Sequence, residues 1–195
     1  MGKVVVTEFV TVDGVFEAPG PGEPFEHAGW ALQFDRGEQG HAFKAEELWA
    51  ADAQLLGRVT YEGFAAAWPG MEEATGEFGV KMNSMPKYVV SQTLQSADWT
   101  NSTILRGSLA EDIAALRDTY AGDILVAGSG QLVAGLLRAE LVDEIRLMVF
   151  PIVLGSGRRL FDGAPATRFA LSSARQVGPD GVAILTYQPS ARAAR

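Results

Sequence analysis

The stretch Ile124–Ile145, "ILVAGSGQLVAGLLRAELVDEI", decides how the rest of the chain reads. An apolar run enters Gly128-Ser129-Gly130, and leucines and alanines at helical spacing begin at once. A short apolar run bounded by a turn signal is a buried strand, and apolar residues three and four apart form a helix face. The spacing predicts a strand over Asp123–Ala127, a helix over Gln131–Ala139 and a strand over Glu144–Phe150. Such a unit sets two strands parallel with a helix crossing between them. Glycines in the turn permit positive φ and let a ligand approach the main chain. The turn is then either a cradle for an anion on the first N–H groups of the helix or a tight bend without a ligand. The motif alone leaves both readings open. It is not a full G-x-G-x-x-G fingerprint, because the third glycine position is Val133 and residue 148 is Met where an acid would follow.

The alternation continues outward. Val4–Val10 reads as a buried strand ended by Asp13-Gly14. Phe16–Gly40 has many Gly and Pro and no sustained period, and is expected to be a lid or site wall, with a disordered insertion as the alternative. Helices are expected over Phe43–Asp52, Thr60–Trp68 and, less regularly, Glu72–Met85. Strands are expected over Ala53–Gly57, Lys87–Ser91 and Ser102–Leu105. Ser108-Leu109-Ala110-Glu111 has the form of a capping box, opening a helix to about Tyr120 that Gly122 closes. Phe169–Val177 and Val182–Tyr187 flank "GPDG", a hairpin turn. Strands alternating with helices and then a hairpin imply an α/β fold, its mainly parallel sheet covered by helices on both faces and edged by antiparallel strands. One domain over residues 1–190 is expected, with 191–195 as a flexible tail.

Composition sets limits. The chain has 195 residues, 47% of them hydrophobic, enough for one sizeable core. The net charge of −8 argues against a nucleic-acid partner, and the basic groupings are only "GRR" at Gly157–Arg159 and the terminal "ARAAR". With no cysteine, disulfides and thiolate chemistry are excluded. His27 and His41 have no second ligand at metal spacing, so no metal is expected. No apolar run is long enough to span a bilayer, and the first residues lack a secretory signal, so a cytoplasmic protein without a membrane partner is expected. The absence of G-x-x-x-x-G-K-[ST] argues against a P-loop ATP site.

Two more strand ends resemble the glycine turn in kind. In "LLGRVTYEGF", Leu55–Phe64, Arg58 can grip a phosphate with its planar fork and Thr60 can cap the next helix and donate a hydroxyl. The plainer reading is an exposed arginine beside an N-cap. In "VVSQTL", Val89–Leu94, Ser91 and Thr93 offer hydroxyls. Ligands of open α/β sheets sit outside the carboxyl ends of the strands, so three such ends can converge on one extended anion. Asp13 can bond a substrate or simply hold its turn; Trp30 can cover a substrate or simply pack. Arg158 or Arg159 can meet an anionic group or lie in solvent.

"QLLGRVTYEGF", "VVSQTL", "TVDGVF" and the whole segment Ile124–Phe161 resemble the dihydrofolate-reductase-like superfamily, nearest its branch of riboflavin-biosynthesis reductase domains. The resemblance covers nearly the whole chain. It implies a three-layer α/β/α sandwich, a mostly parallel sheet of about eight strands, and a C-terminal antiparallel hairpin. It implies NADPH as hydride donor, a small heterocyclic or carbonyl substrate, and a homodimer. By the same resemblance Arg58, Val59 and Thr60 meet the cofactor's phosphates, Ser91 and Gln92 the adenosine 2′-phosphate, and Gly128, Ser129, Gly130 and Gln131 the pyrophosphate. Thr7, Phe9 and Phe16 lie near the nicotinamide. Folate reductases carry an acid on the first helix; the matching position here is His41, and Glu46, Glu47 or Asp35 fills it only after a shift. The catalytic candidates are therefore Asp13, His41 and Glu47, with Asp13 and Trp30 toward the substrate. An attached zinc deaminase domain is not expected. The alternative is a nucleotide-binding or interaction protein that keeps the fold with a vestigial site.

Overall fold

A computed structural model describes residues 1–190; the tail expected at 191–195 lies outside the described residues. Strands β1 (Lys3–Thr11), β2 (Ala51–Gly57), β3 (Lys87–Val90), β4 (Ser102–Leu105), β5 (Asp123–Ala127), β6 (Glu144–Phe150), β7 (Phe169–Val177) and β8 (Val182–Pro189) form one sheet in the order β4-β3-β2-β5-β1-β6-β8-β7. The pairs from β4 through β6 are parallel, and β8 runs antiparallel to both β6 and β7. The helices are α1 (Gly37–Ala50), α2 (Arg58–Ala67), α3 (Glu72–Thr75), α4 (Glu77–Ser84), α5 (Leu109–Thr119) and α6 (Gly130–Arg138).

The period-two pattern of β1 divides the core. Val4, Val6 and Val10 pack with Ile113 and Leu116 of α5 and Leu132, Val133 and Leu136 of α6. Val5 points the other way, into Leu48 of α1, Tyr61 of α2 and Met82 of α4. Successive side chains of a strand face opposite sides of its sheet, so one Val-rich strand serves both helical layers. The three-layer α/β/α sandwich with its C-terminal hairpin is as the sequence implied.

Several local expectations are corrected. Helix α1 begins at Gly37 rather than Phe43, because Gly37 and Gly40 hid its first turn. The segment Glu72–Met85 is two helices, broken at Gly76 (φ 59°, ψ −136°). Ser108 is the N-cap of α5, but its hydroxyl makes no cap bond. Gly122 does not close that helix, whose C-cap is Tyr120. Its glycine is required by crowding instead: a Cβ there would sit 2.7 Å from the Ala50 carbonyl oxygen.

The Gly/Pro-rich segment before α1 is folded rather than a disordered insertion. Trp30, in a 3₁₀ turn (Trp30–Gln33), is fully buried, its ring edge-on to Phe150 at 5.3 Å and its Nε1 donating to the Glu17 carbonyl at 2.8 Å. Phe9, Phe25, Phe34 and Phe43 pack on the same cluster with Val177, Val182 and Ile184 of the hairpin. Trp30 therefore anchors the segment and presents nothing to a substrate. The Asp35 N–H donates to Asp180 Oδ2 at 2.6 Å, tying the segment to the hairpin turn. Among the described residues no helix is long and apolar enough to cross a membrane.

Candidate functional site

The connections leave the centre of the sheet in opposite directions. From β1 the chain goes through α1 to β2, on the layer shared with α2; from β5 it goes through α6 to β6, on the opposite layer. Between two such strands a crevice opens at their carboxyl ends. The last β1–β5 pair is Thr7↔Ala127, while β1 continues to Thr11, so the strands part at Glu8. The strand ends expected to converge do lie side by side, since β3, β2, β5 and β1 are consecutive in the sheet.

At the centre the two turns are bound to each other. The Ser129 N–H donates to Thr60 Oγ1 at 2.9 Å, and the Gly57 N–H donates to Ser129 Oγ at 2.9 Å. Ser129 Oγ in turn donates to the Ala127 carbonyl at 3.1 Å. This corrects the expected cap: α2 starts at Arg58, its N-cap is Gly57, and Thr60, two residues into the helix, spends its oxygen on Ser129. Gly128 takes φ 60°, and a Cβ on it would sit 2.6 Å from Thr60 Oγ1. Gly130 has no positive φ; Ser129 takes it instead, at 64°. A Cβ on Gly130 would meet Phe16 Cζ at 2.7 Å, so that ring lies over the start of α6. No side chain caps α2 or α6. The clip thus holds two helix N-termini beside each other with their first N–H groups uncapped, which is the arrangement an anion favours. Val59 is 52% exposed at the start of α2, and Gln131 is exposed at the start of α6.

The outer end is ordered by an arginine. Ser91 Oγ accepts the N–H groups of Thr93 (3.2 Å) and Leu94 (3.0 Å). Arg106 donates to the Gln92 and Leu94 carbonyls, and Gln92 Nε2 returns a bond to the Arg106 carbonyl at 3.0 Å. Arg58 pairs with Glu62 at 2.8 Å, both about half exposed; an exposed pair of this kind holds Arg58 weakly, by under about 1 kcal/mol. Arg106 was missed in the sequence, although it is the first residue after β4 and obeys the same strand-end rule. Glu8 was missed too, although a carboxylate inside "VVVTEFV" contradicts the pattern of a buried strand.

On the α1 side the candidate acids are engaged. Glu47 is 2% exposed; Lys44 binds it at 2.6 Å, Thr7 Oγ1 donates to it at 3.0 Å, and Arg146 lies 3.7 Å away. Lys44 also donates to Thr7 Oγ1 at 2.8 Å. Arg146 is further held by Glu144 and Asp123, and these carboxylates keep its pKa raised although burial pulls it down. Glu47 thus belongs to a buried ion network rather than to the crevice surface. His41 is exposed and faces Arg36, at 3.2 Å. Phe9 lies beneath two cations, Arg36 at 5.2 Å and Lys44 at 5.3 Å; burial lowers the Arg36 pKa.

Asp13 holds loops together. It accepts from Thr11 Oγ1 (2.6 Å), the Gly155 N–H (3.0 Å) and the Leu154 N–H (3.3 Å), and Arg159 lies 3.6 Å away. The Thr11 bond, with these N–H groups, holds its carboxyl below the usual range. Arg158 donates to Glu17 at 2.8 Å. The arginines of "GRR" thus pin the loop after β1 to the segment before Leu160, through side chains that stay about half exposed.

The two uncapped helix starts can hold an anionic group. The family model of the RibD C-terminal domain matches residues 2–183. YyaP of Bacillus subtilis (strain 168), an uncharacterized protein, is 30% identical over 112 residues, 56% of this chain and 59% of its own length. A putative riboflavin biosynthesis protein from Shewanella sp. PV-4 superposes with a TM-score of 0.76 at 21% identity, covering 98% of this chain and 100% of that one. Dihydrofolate reductase from Enterococcus faecalis, complexed with NADP(H) and RAB-propyl, superposes with a TM-score of 0.61 at 17% identity, over 97% of this chain and 98% of that one. The chain belongs to the RibD C-terminal domain family, and its fold is shared with these solved structures.

Proposed function

We propose that the protein is an NADPH-dependent reductase of a small heterocyclic or carbonyl compound. The observation that carries this is the pair of uncapped helix N-termini, α2 and α6, clipped by Thr60 and Ser129 where β1 and β5 part. Main-chain N–H groups at Arg58, Val59 and Gly130–Gln131 receive the pyrophosphate. Arg58 and Arg106, with Ser91 and Gln92, read the 2′-phosphate, a dianion that suits a guanidinium fork. Thr7, Phe9 and Phe16 wall the nicotinamide end. The bound cofactor supplies the hydride; the chain orients it, and the folded segment anchored by Trp30 keeps water from the reacting face.

One observation favours a second reading, a nucleotide-binding protein without turnover: Asp13 and Glu47 are both committed to structural bonds. The test is loss of reduced-nicotinamide absorbance when protein and NADPH meet a panel of pyrimidines and small carbonyl compounds. Turnover of any member supports the reductase. Tight NADPH binding with no turnover across the panel favours the second reading, and no binding at all sinks both.

We place the protein in the cytoplasm as one domain over residues 1–190, and as a homodimer joined through β7. That strand is the outer edge of the sheet, exposed along most of its length, with Leu171 55% exposed. An unpaired edge is a template for a second copy. Sedimentation should give twice the 20.8 kDa chain mass; a lone 20.8 kDa species at micromolar concentration rejects the dimer.

A further inference from the structure

Strand β1 carries a carboxyl where its pattern calls for an apolar residue. Glu8 follows Val4 and Val6 toward the α5–α6 layer and is 6% exposed. Thr7 pairs with Ala127, so Glu8 is the next residue beside Gly128, and its Oε1 is buried without a hydrogen-bond partner among the described residues. Lys44, the cation that acts on it, is already bound to Glu47 and Thr7. Ionised, Glu8 would leave one charged oxygen desolvated and unpaired; neutral, it carries its own proton. Burial accordingly pushes its pKa well above the ordinary 4.5, the Gly128 N–H and Lys44 pull it back, and Glu47 adds to the rise.

The charged groups around it are few. Helix α1 brings Lys44 and Glu47, and β6 brings Arg146, bound to Glu144 and to Asp123 of β5. Helix α6 has no charged side chain before Arg138. In the loop after β1, Asp13 is held by the 154–155 main chain and Arg159, and Glu17 is taken by Arg158. Gly128, beside Glu8 in the register of β1 and β5, opens the turn assigned above to the pyrophosphate.

We propose that Glu8 lies under this turn as a neutral acid and that dinucleotide binding is linked to its proton. The phosphates bind the turn while Glu8 is protonated and are repelled once it ionises. This rests on the dinucleotide reading of the site. Glu8 therefore loses its proton at lower pH in the free protein than in the complex, and binding takes up a proton between those two values. Affinity is flat below the free protein's Glu8 pKa and falls up to about tenfold per pH unit above it, until the complex's own pKa is reached.

Two measurements on the whole chain test it. Carboxyl ¹³C NMR of uniformly labelled protein, with the Glu8 carboxyl assigned through bonds from its own backbone, should show a neutral Glu8 at neutral pH before any ligand is added. NADPH titrations of wild type and Glu8→Gln across the neutral and alkaline range should then give a dissociation-constant ratio that climbs with pH, because Gln cannot ionise. Taking the ratio cancels the titration of NADPH itself. An ionised Glu8 at neutral pH overturns the proposal even if the variant fails to fold. A constant ratio with tight binding overturns the linkage alone. A neutral Glu8 with no NADPH binding at any pH removes the dinucleotide reading, and the linkage with it.

Discussion

Ser129→Glu is expected to raise the dissociation constant for NADPH by at least ~100-fold while the chain stays folded. Ser129 sits between the uncapped starts of α2 and α6, joined to one through Gly57 and Thr60 and heading the other. A carboxylate there takes the place an anionic ligand would occupy and repels what remains of it. Two unit charges about 4 Å apart interact by about 4 kcal/mol at an effective dielectric of about 20, roughly three decades of affinity. Solvent at the crevice mouth screens part of that, hence the lower bound. Backbone strain is not the cause, since position 129 already holds a non-glycine residue at φ 64°. Ser129→Ala separates the clip from the charge: it removes one acceptor from the Gly57 N–H and is expected to cost about 1 kcal/mol of stability. Binding within a few-fold of wild type in Ser129→Glu would place the phosphates elsewhere.

Lys87→Met is expected to lower the unfolding free energy by about 3 kcal/mol. Lys87 is fully buried on β3, and its Nζ donates to the carbonyls of Asn83 (2.5 Å), Met85 (3.0 Å) and Thr100 (3.0 Å), 4.1 Å from the centre of the Trp99 ring. Methionine matches the length but donates nothing, so three carbonyls lose a partner at about 1 kcal/mol each. The ammonium is the clamp that fastens the end of α4 to the segment entering β4. Burial pushes its pKa down from 10.5 to about 8. Below pH 8 both folded and unfolded chains hold this proton, and it contributes no slope. Between about 8 and 10.5 the folded chain releases it first, so wild-type stability gains a rising contribution across that window. Urea unfolding of both proteins along that pH range checks the difference; a wild-type curve parallel to that of Lys87→Met would refute the assignment.

Much of the fold was legible because it is local. Val4–Val10 and Asp123–Ala127 declare themselves by apolar runs and turn residues, and their helices by spacing. The hidden parts depend on partners far away in the chain. Nothing near Trp30 announces that Phe150 and the hairpin residues Val177, Val182 and Ile184 will bury it. The start of α1 was masked by Gly37 and Gly40, poor helix formers that its surroundings tolerate.

The site shows the same division. Residues at strand ends could be named because the rule for open α/β sheets is topological. Their bonding could not, because Thr60, read as a hydroxyl for a cap or a ligand, accepts the Ser129 N–H across 69 positions. Asp13, Glu47 and Arg158 look available in sequence and are consumed by Gly155, Lys44 and Glu17. Arg106 escaped notice because its role depends on the carbonyls of another loop.

The proposed NADPH seat runs across the ends of β3, β2 and β5, which are neighbours in the sheet. Calorimetric titration of the wild type with NADPH and with NADH, repeated on Arg58→Ala, tests it most directly. NADPH should bind more tightly than NADH, and Arg58→Ala should narrow the gap by weakening NADPH. Equal binding of the two dinucleotides, or heat from neither, would contradict it.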